Sequence, residues 1–217
     1  DLLDIQARAA LAAGDLQTAR SSAEAAGKLD SSLSLPYAFQ AEDLYASRAY
    51  TQTIAVASQA IERFNPPAFA YRLRGGAYYW MYDLANGKAD LDKALELDPN
   101  DIEATALLAL LSAETNQADD LNTLAERASL QAAKTASGLM AQAVSASYNY
   151  DFGTARTLLD EAILLAPERP ELYILRSETF TSSVDEAARF TDLDTAFSLA
   201  PDLRCVRYAL AVKHLFL

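Results

Sequence analysis

Histidine and cysteine are nearly missing from this chain of 217 residues, which contains one of each, His214 and Cys205. Nucleophilic catalysis needs a nucleophile oriented by a base, and zinc needs several thiolate or imidazole ligands. The two residues are nine positions apart in one predicted helix, about two and a half turns, so they face opposite sides of it. We therefore expect no enzymatic activity, no metal site and no cofactor. A single cysteine forms no internal disulfide, which leaves the cellular compartment open.

Glycine and proline are also scarce, with seven of each, and the runs of valine, isoleucine and threonine that favour strands are few. Alanine, leucine, glutamate, glutamine and arginine recur throughout, and these residues have high helix propensity. Hydrophobic residues make up 51% of the chain, enough for a sizeable core, so disorder is not expected. The composition predicts an all-helical protein.

Basic residues are the third deficit, because 18 lysines and arginines stand against 30 aspartates and glutamates, for a net charge of -12. This charge opposes approach to a phosphate backbone or an anionic bilayer, so nucleic acid is not an expected partner. No apolar run approaches the ~20 residues that span a bilayer, and no basic start followed by an apolar stretch marks a signal peptide. We therefore expect no direct membrane insertion.

The sequence repeats itself with a period of 34. Pro99, Pro167 and Pro201 follow helical runs and are separated by two periods and then by one. The same step places alanine at six positions, and a second column in the same phase holds only small residues, which let two helix backbones approach. The alanine column is Ala26, Ala60, Ala94, Ala128, Ala162 and Ala196. The small-residue column is Ala7, Ala41, Gly75, Ala109, Ala143, Ser177 and Ala211.

Two further features indicate that each repeat is a pair of helices. Bulky residues stand four positions before the small-residue column in most repeats, for example Tyr37, Tyr71 and Tyr173, and three positions after it in about half of them. Apolar residues at i, i+4 and i+7 form a buried helical stripe. Aspartate, which caps helix N-termini, recurs where the second helix of a pair is expected to start. These aspartates are Asp15, Asp83, Asp151 and Asp185.

The repeat resembles the tetratricopeptide repeat (TPR) family. Its pattern is an aromatic, a small residue and tyrosine on the first helix, then alanine, an apolar residue, alanine and proline on the second. The fourth unit departs from this pattern most, with Thr105 and Ser112 at two bulky positions. The third unit matches it with Tyr71, Gly75, Tyr78, Leu91, Ala94 and Pro99, and the fifth and sixth match it similarly.

The resemblance implies an all-α fold, a right-handed superhelical solenoid of antiparallel helix pairs, which forms a single domain over residues 1–217. In such solenoids the first helices line a concave groove, so we expect a ligand at positions 2, 5, 9, 12 and 13 of each unit, called the groove positions below. The units are 1–33, 34–67, 68–101, 102–135, 136–169 and 170–203, followed by a terminal helix at 204–217.

Aromatic residues concentrate at groove positions of the second, third and fifth units, whereas charges there have no consistent sign. We therefore expect a protein or peptide ligand with apolar or aromatic anchors. The candidate binding residues are Glu42, Tyr45, Phe69, Arg72, Gly76, Tyr79, Trp80, Val144 and Tyr148.

Some of these residues also have a purely structural interpretation. Tyr45, Tyr79 and Trp80 would complete helix packing instead of contacting a ligand. Gly76 costs roughly 1 kcal/mol of helix propensity against alanine, and it either admits a ligand close to the backbone or relieves crowding among its bulky neighbours.

Some TPR domains hold a terminal carboxylate with a clamp of lysine and asparagine, and this clamp is missing here. Arg8 and Arg72 are the inner cations that could meet a carboxylate in the first three units. Alternatively, Arg72 pairs with Glu42 of the adjacent unit.

The leading functional hypothesis is a non-catalytic protein- or peptide-binding scaffold, and the alternative is a structural or self-associating arm of a larger multidomain protein. RNA-binding helical repeats would need a basic groove and a period of about 35 residues. The segment 204–217 is apolar over most of its circumference, whereas terminal repeats present a polar outer face. We therefore expect either a flanking domain after this segment or a homodimer formed through it.

The repeat phase predicts which positions tolerate a larger side chain. Ala94→Leu should force two closely packed helices apart and lower the free energy of unfolding by about 1–3 kcal/mol. Asp120→Ala, at a position predicted to be solvated, should change it far less. Equal melting temperatures for the two variants would show that the assigned phase is wrong.

Overall fold

The computed structural model describes residues 2–181 and 185–202, and these ranges form twelve α-helices and no β-strand. The predicted all-α class is thus confirmed. In chain order the helices are α1 (Leu2–Ala12), α2 (Leu16–Leu29), α3 (Leu35–Ala46), α4 (Tyr50–Ile61), α5 (Ala68–Trp80), α6 (Leu84–Leu97), α7 (Ile102–Glu114), α8 (Ala118–Ala132), α9 (Ala136–Tyr148), α10 (Phe152–Leu165), α11 (Pro170–Glu178) and α12 (Glu186–Leu199).

Consecutive helices pack as hairpins, from α1 with α2 to α11 with α12. The chain divides into two compact units, Asp1–Asp101 and Ile102–Leu217. Within the first, α2 packs on α3 and α4 on α5; within the second, α8 packs on α9 and α10 on α11. The second helix of one hairpin therefore covers the first helix of the next.

The core of these hairpins consists largely of alanine. All six members of the alanine column are fully buried, as are Ala7, Ala41, Ala109 and Ala143 of the small-residue column. Gly75 shows why the column must be small, because a Cβ atom there would lie 2.9 Å from Leu91 Cγ and 3.1 Å from the carbonyl oxygen of Gly87. The backbones of α5 and α6 therefore approach closely at this point.

Three of the four predicted aspartate caps hold the start of a second helix. Asp15, Asp83 and Asp151 each accept a hydrogen bond from the backbone N–H three residues on, at 3.1, 3.3 and 3.1 Å. Hydrogen bonds from the capped turn lower the pKa of Asp15 and Asp151, because they stabilise the charged carboxylate. Asp185 makes no side-chain cap bond.

The turns inside the first five hairpins share a left-handed residue, which was not predicted from the sequence. The residue after it donates a backbone hydrogen bond of 2.8–2.9 Å to the carbonyl five residues back, as Asp15 does to Ala10. This bond closes a Schellman motif. The left-handed residues are Gly14, Arg48, Tyr82, Asn116 and Tyr150, with φ between 58° and 78°.

The irregular repeat is the sixth and not the fourth. Despite its divergent sequence, the fourth unit forms helices in the common register. The first helices of units one to five end at intervals of one period, at Ala12, Ala46, Trp80, Glu114 and Tyr148. The next would end at position 182, but α11 ends at Glu178. Arg156 of α10 holds the chain just beyond this end, donating to the Thr179 carbonyl at 2.9 Å.

The predicted terminal helix at 204–217, with Cys205, Ala211 and His214, lies outside the described residues. Its role in a homodimer or a flanking domain stays a prediction. Among the helices that are described, none is both long and apolar enough to cross a bilayer.

The close approach at Gly75 yields a test of the packing. Gly75→Ala should lower the free energy of unfolding by about 1–3 kcal/mol, although alanine is the better helix former. Gly153→Ala in α10 is the matched control, because its Cβ would meet only Asp151 Oδ1 at an ordinary 3.8 Å. Urea denaturation of both variants measures the difference, and equal stabilities would refute the crowding at Gly75.

Candidate functional site

Four aromatic rings form a partly exposed cluster at the ends of α3 and α5, called the aromatic cluster below: Tyr45, Tyr50, Tyr79 and Trp80. Trp80 Nε1 donates a hydrogen bond of 2.9 Å to Tyr45 Oη. Tyr50 lies edge-on to Tyr45 at 5.7 Å and stacks with Trp80 at 6.4 Å between centroids. Tyr79 meets Trp80 edge-on at 4.9 Å. The rings therefore hold one another in fixed orientations.

Helix register brings these rings together. Tyr45 and Trp80 stand at groove positions 12 and 13 of neighbouring units, near the ends of their helices. Tyr50 begins α4 and was missed by the sequence search, which considered only first helices. Its signal was present in the sequence as an aromatic five residues after Tyr45. Tyr45 also packs on a buried cluster that includes Ala41 and Leu73, so both predicted roles, packing and ligand contact, are compatible with its position.

Three other candidate residues lie in or against the core. Phe69 packs on three separate buried clusters, and its ring lies 5.5 Å from that of Phe39. Gly76 is buried, and Val144 is only 5% exposed. All three residues thus belong to the packed interior or its edge, and contact of a ligand with them stays a prediction.

The expected pairing of Arg72 with Glu42 is wrong. Arg72 Nε lies 2.8 Å from Asp101 Oδ2, in the turn after α6, while Glu42 Oε2 lies 2.6 Å from Arg20 Nη2 of α2. Each side chain thus has a nearer partner on another element. Arg72 and Glu42 are therefore both neutralised within their own compact unit.

Arg8, the other inner cation, is also occupied. Its guanidinium lies 2.8 Å from Asp4 Oδ2 and donates to the Asn65 carbonyl and to Ser34 Oγ at 3.0 and 3.1 Å. With Arg8 and Arg72 both paired to carboxylates, neither is poised to receive a terminal carboxylate from a ligand.

In the second compact unit, Arg169 ties together three groove positions. It contacts Glu103 Oε1 at 3.0 Å, Ser137 Oγ at 2.8 Å and Glu171 Oε1 at 2.6 Å. Ser137 also donates a hydrogen bond to Glu103. These contacts fix the first turns of α7, α9 and α11 relative to one another.

Two ion pairs inside hairpins, both largely shielded from solvent, were not anticipated. Arg74 pairs with Asp90 at 2.6 Å, and Arg176 pairs with Asp192 at 2.6 Å. The two pairs have the same separation along the chain and stand at equivalent repeat positions. Hydrogen bonds to the aspartates raise the pKa of both arginines. The recurring separation of arginine and aspartate was the available sequence signal.

Three of the charged side chains of this compact unit, Glu114, Glu178 and Arg189, form no ion pair or hydrogen bond with a described residue. Glu114 is the last residue of α7, Glu178 is the last residue of α11, and Arg189 lies in α12. Glu178 reaches solvent, yet protein surrounds it closely enough that desolvation, with a smaller effect of the Glu114 charge, raises the pKa of Glu178 to about 7. Desolvation also raises the pKa of Glu114. Arg189 lowers the pKa of Glu178 by a smaller amount.

Tyr148, the remaining candidate, belongs to the same compact unit. It is partly exposed, and its hydroxyl donates to Asn116 Oδ1 at 2.6 Å. Among the residues that the structure describes, no three histidines, cysteines or carboxylates are grouped so that they could hold a metal ion.

Comparison with solved structures identifies the fold. A thermophilic TPR protein of Thermus thermophilus aligns with a TM-score of 0.64 and 13% identity over 84% of this chain and 99% of that one. Cut9–Hcn1, an APC/C hetero-tetramer, aligns with a TM-score of 0.64 and 13% identity over 96% of this chain and 41% of that one. YrrB, described as a TPR protein with an unusual peptide-binding site, aligns with a TM-score of 0.52 and 16% identity over 86% of this chain and 96% of that one.

The chain therefore has the helical-repeat fold of TPR proteins, as its sequence predicted. No protein-family model matches the sequence, and no curated protein is significantly similar to it.

The environment of Glu178 predicts a pH dependence of stability. Its pKa is about 7 in the folded chain against the usual 4.5, so the folded state binds the proton more tightly than the unfolded state. The resulting stabilisation is present below pH 4.5 and is lost as the pH rises through 7.

Glu178→Gln keeps the shape of the neutral acid but cannot lose a proton. The variant should therefore become more stable relative to the parent chain as the pH rises from 4.5 to about 7. Thermal melting across the window measures the difference, with Glu161→Gln on the exposed surface of α10 as the control. A difference between parent and Glu178→Gln that does not change with pH would contradict this assignment.

Proposed function

We propose that this chain is a protein-binding module that holds a segment of a partner protein against the groove positions of its first helices. The aromatic cluster carries the proposal. Its four rings are partly exposed and are fixed by mutual contacts and by the Trp80–Tyr45 hydrogen bond.

Aromatic side chains of this kind are the usual energetic centres of protein interfaces. Tryptophan and tyrosine offer a large apolar area with few rotatable bonds, and they dominate the residues whose removal most weakens binding. The hydrogen bond matters because it already satisfies the indole N–H. A ligand can then cover the rings without leaving that donor unpaired or ordering a mobile side chain.

Exposed apolar residues extend this surface at the end of α5. Met81 and Tyr82 follow Trp80 directly and are 46% and 57% exposed. Tyr82 is held outward by the left-handed turn of its hairpin, with φ 66°. An apolar surface next to fixed aromatic rings fits an apolar or aromatic anchor on the partner.

The fold gives independent support. TPR proteins generally mediate protein–protein interactions, and YrrB, whose structure this chain resembles, is described as having a peptide-binding site. By the same reasoning we infer a non-catalytic role for this chain.

Substitutions in the aromatic cluster test the proposal. Peptides are first selected on the folded chain from a random displayed library. Trp80→Ala and Tyr45→Ala should then weaken their binding by at least about tenfold, as expected for central interface residues. Calorimetric titration measures the affinity, and circular dichroism confirms that helix content is kept.

Tyr150→Ala is the matched control, because Tyr150 is 83% exposed in the equivalent turn of another hairpin. Unchanged affinity in both cluster variants, together with a loss of several degrees in melting temperature, would show that the cluster serves packing alone.

A further inference from the structure

Large apolar side chains stand exposed on two consecutive second helices, α8 and α10. Leu130 of α8 is 81% exposed, and Leu164 and Leu165 of α10 are 83% and 56% exposed. These three side chains are called the leucine patch below. Soluble chains commonly expose such residues singly, whereas adjacent ones mark an interaction surface.

The regular repeat brings α8 and α10 side by side. They start one period apart, at Ala118 and Phe152, and both pack on α9, which runs back between them. The next pair of second helices shows how near such neighbours are, because Arg176 lies 2.6 Å from an aspartate of α10 and 2.6 Å from one of α12. Leu130 and Leu164 hold the same repeat position, so they lie at the same level on neighbouring parallel helices.

The fold does not require leucine at this position. The other four units carry polar residues there, namely Lys28, Glu62, Glu96 and Ser198. The solvated side of a surface helix is normally polar, as it is in those units. Leucine in two adjacent repeats therefore points to a partner that covers this side of α8 and α10.

Charged residues accompany both leucines at the same offsets, but with opposite sign. Three positions before the leucine stands Arg127 on α8 and Glu161 on α10; four positions after it, beyond the helix ends, stand Lys134 and Glu168. All four are partly or fully exposed, and none forms an ion pair or hydrogen bond with a described residue. One helix thus has a basic edge and its neighbour an acidic edge, so the patch is complementary to itself.

We propose that the leucine patch binds a second copy of this chain, in a two-fold dimer in which α8 of one copy lies along α10 of the other. A two-fold axis parallel to the helices brings Leu130 against Leu164 of the partner subunit. The same axis brings Arg127 to Glu161 of the partner subunit, because these residues also share one repeat position. Each contact occurs twice, as two-fold symmetry requires.

Charge favours this arrangement over the other two-fold one. An axis across the helices would lay α8 on α8 and α10 on α10 in opposite directions. Arg127 would then approach Lys134 of the partner subunit, and Glu161 would approach Glu168 of the partner subunit, so that like charges repel. The leucine patch belongs to second helices and the groove positions to first helices, so this inference does not depend on the proposed function.

Sedimentation equilibrium of the whole chain tests the association. The patch is smaller than a standard interface, so we expect a dissociation constant on the order of 100 µM. Leu130→Asp and Leu164→Asp should each weaken association at least about tenfold, because the dimer would bury a carboxylate against leucine. Leu29→Asp is the matched control, since Leu29 is a 74% exposed leucine at the end of α2 in the other compact unit.

Charge exchange tests the pairing itself. Arg127→Glu and Glu161→Arg should each weaken association at least about tenfold, because each makes the facing charges alike. An equimolar mixture of the two variants should regain the affinity of the parent chain, since each copy then meets the opposite charge on the other. Mixing cannot restore a pair that lies within one chain. Lys93→Glu on α6 makes the same charge change as Arg127→Glu and should alter association less than about twofold.

A parent chain that stays monomeric up to millimolar concentration would overturn the inference, because the patch would then serve another partner. A mixture that associates no better than either charge variant alone would overturn it as well. So would a dimer that no patch variant weakens, since a different surface, such as the segment 204–217, would then form it. Circular dichroism checks that every variant keeps its helix content.

Discussion

The close approach of the two helices in each hairpin governs the other features of this molecule. The alanine column is fully buried in all six repeats, and at Gly75 even a methyl group would collide with the facing helix. Contacts this short leave no room for a change of register, because a shift of one residue would place a larger side chain at the crossing. The regular spacing of helix starts and ends follows from this packing.

Register then determines what the surface can present. Because the first helices of the first five units end one period apart, Tyr45 and Trp80 near two successive helix ends lie close enough to form a hydrogen bond. In the other compact unit α7, α9 and α11 start one period apart, which places Glu103, Ser137 and Glu171 around Arg169. The small residues of the two columns only allow the helices to approach. The long side chains then pair with one another, which fixes the aromatic rings and neutralises charges at the groove positions.

The sixth repeat shows what happens when the constraint is relaxed. Arg189 replaces a small or apolar residue at the helix contact, α11 ends at Glu178, and Arg156 secures the chain beyond it. An arginine at such a contact buries a donor that has no partner in the described ranges, which costs stability. The acids nearby are left without a direct described partner as well, so charge and backbone irregularity coincide at one end of the groove positions.

The order of residues was enough to predict the hairpins, their register, the buried alanine column and three aspartate caps. It also predicted that Tyr45, Tyr79 and Trp80 lie together, while their role in binding stays a prediction. This was possible because these features are local requirements for small, apolar or capping residues, and a regular period records them directly. The packing of the helices was needed to find that Arg72 pairs with Asp101, that Phe69 packs against the core and Val144 is buried, and that Tyr50 joins the aromatic cluster. Those outcomes depend on distances between side chains of different helices, which a repeat period does not encode.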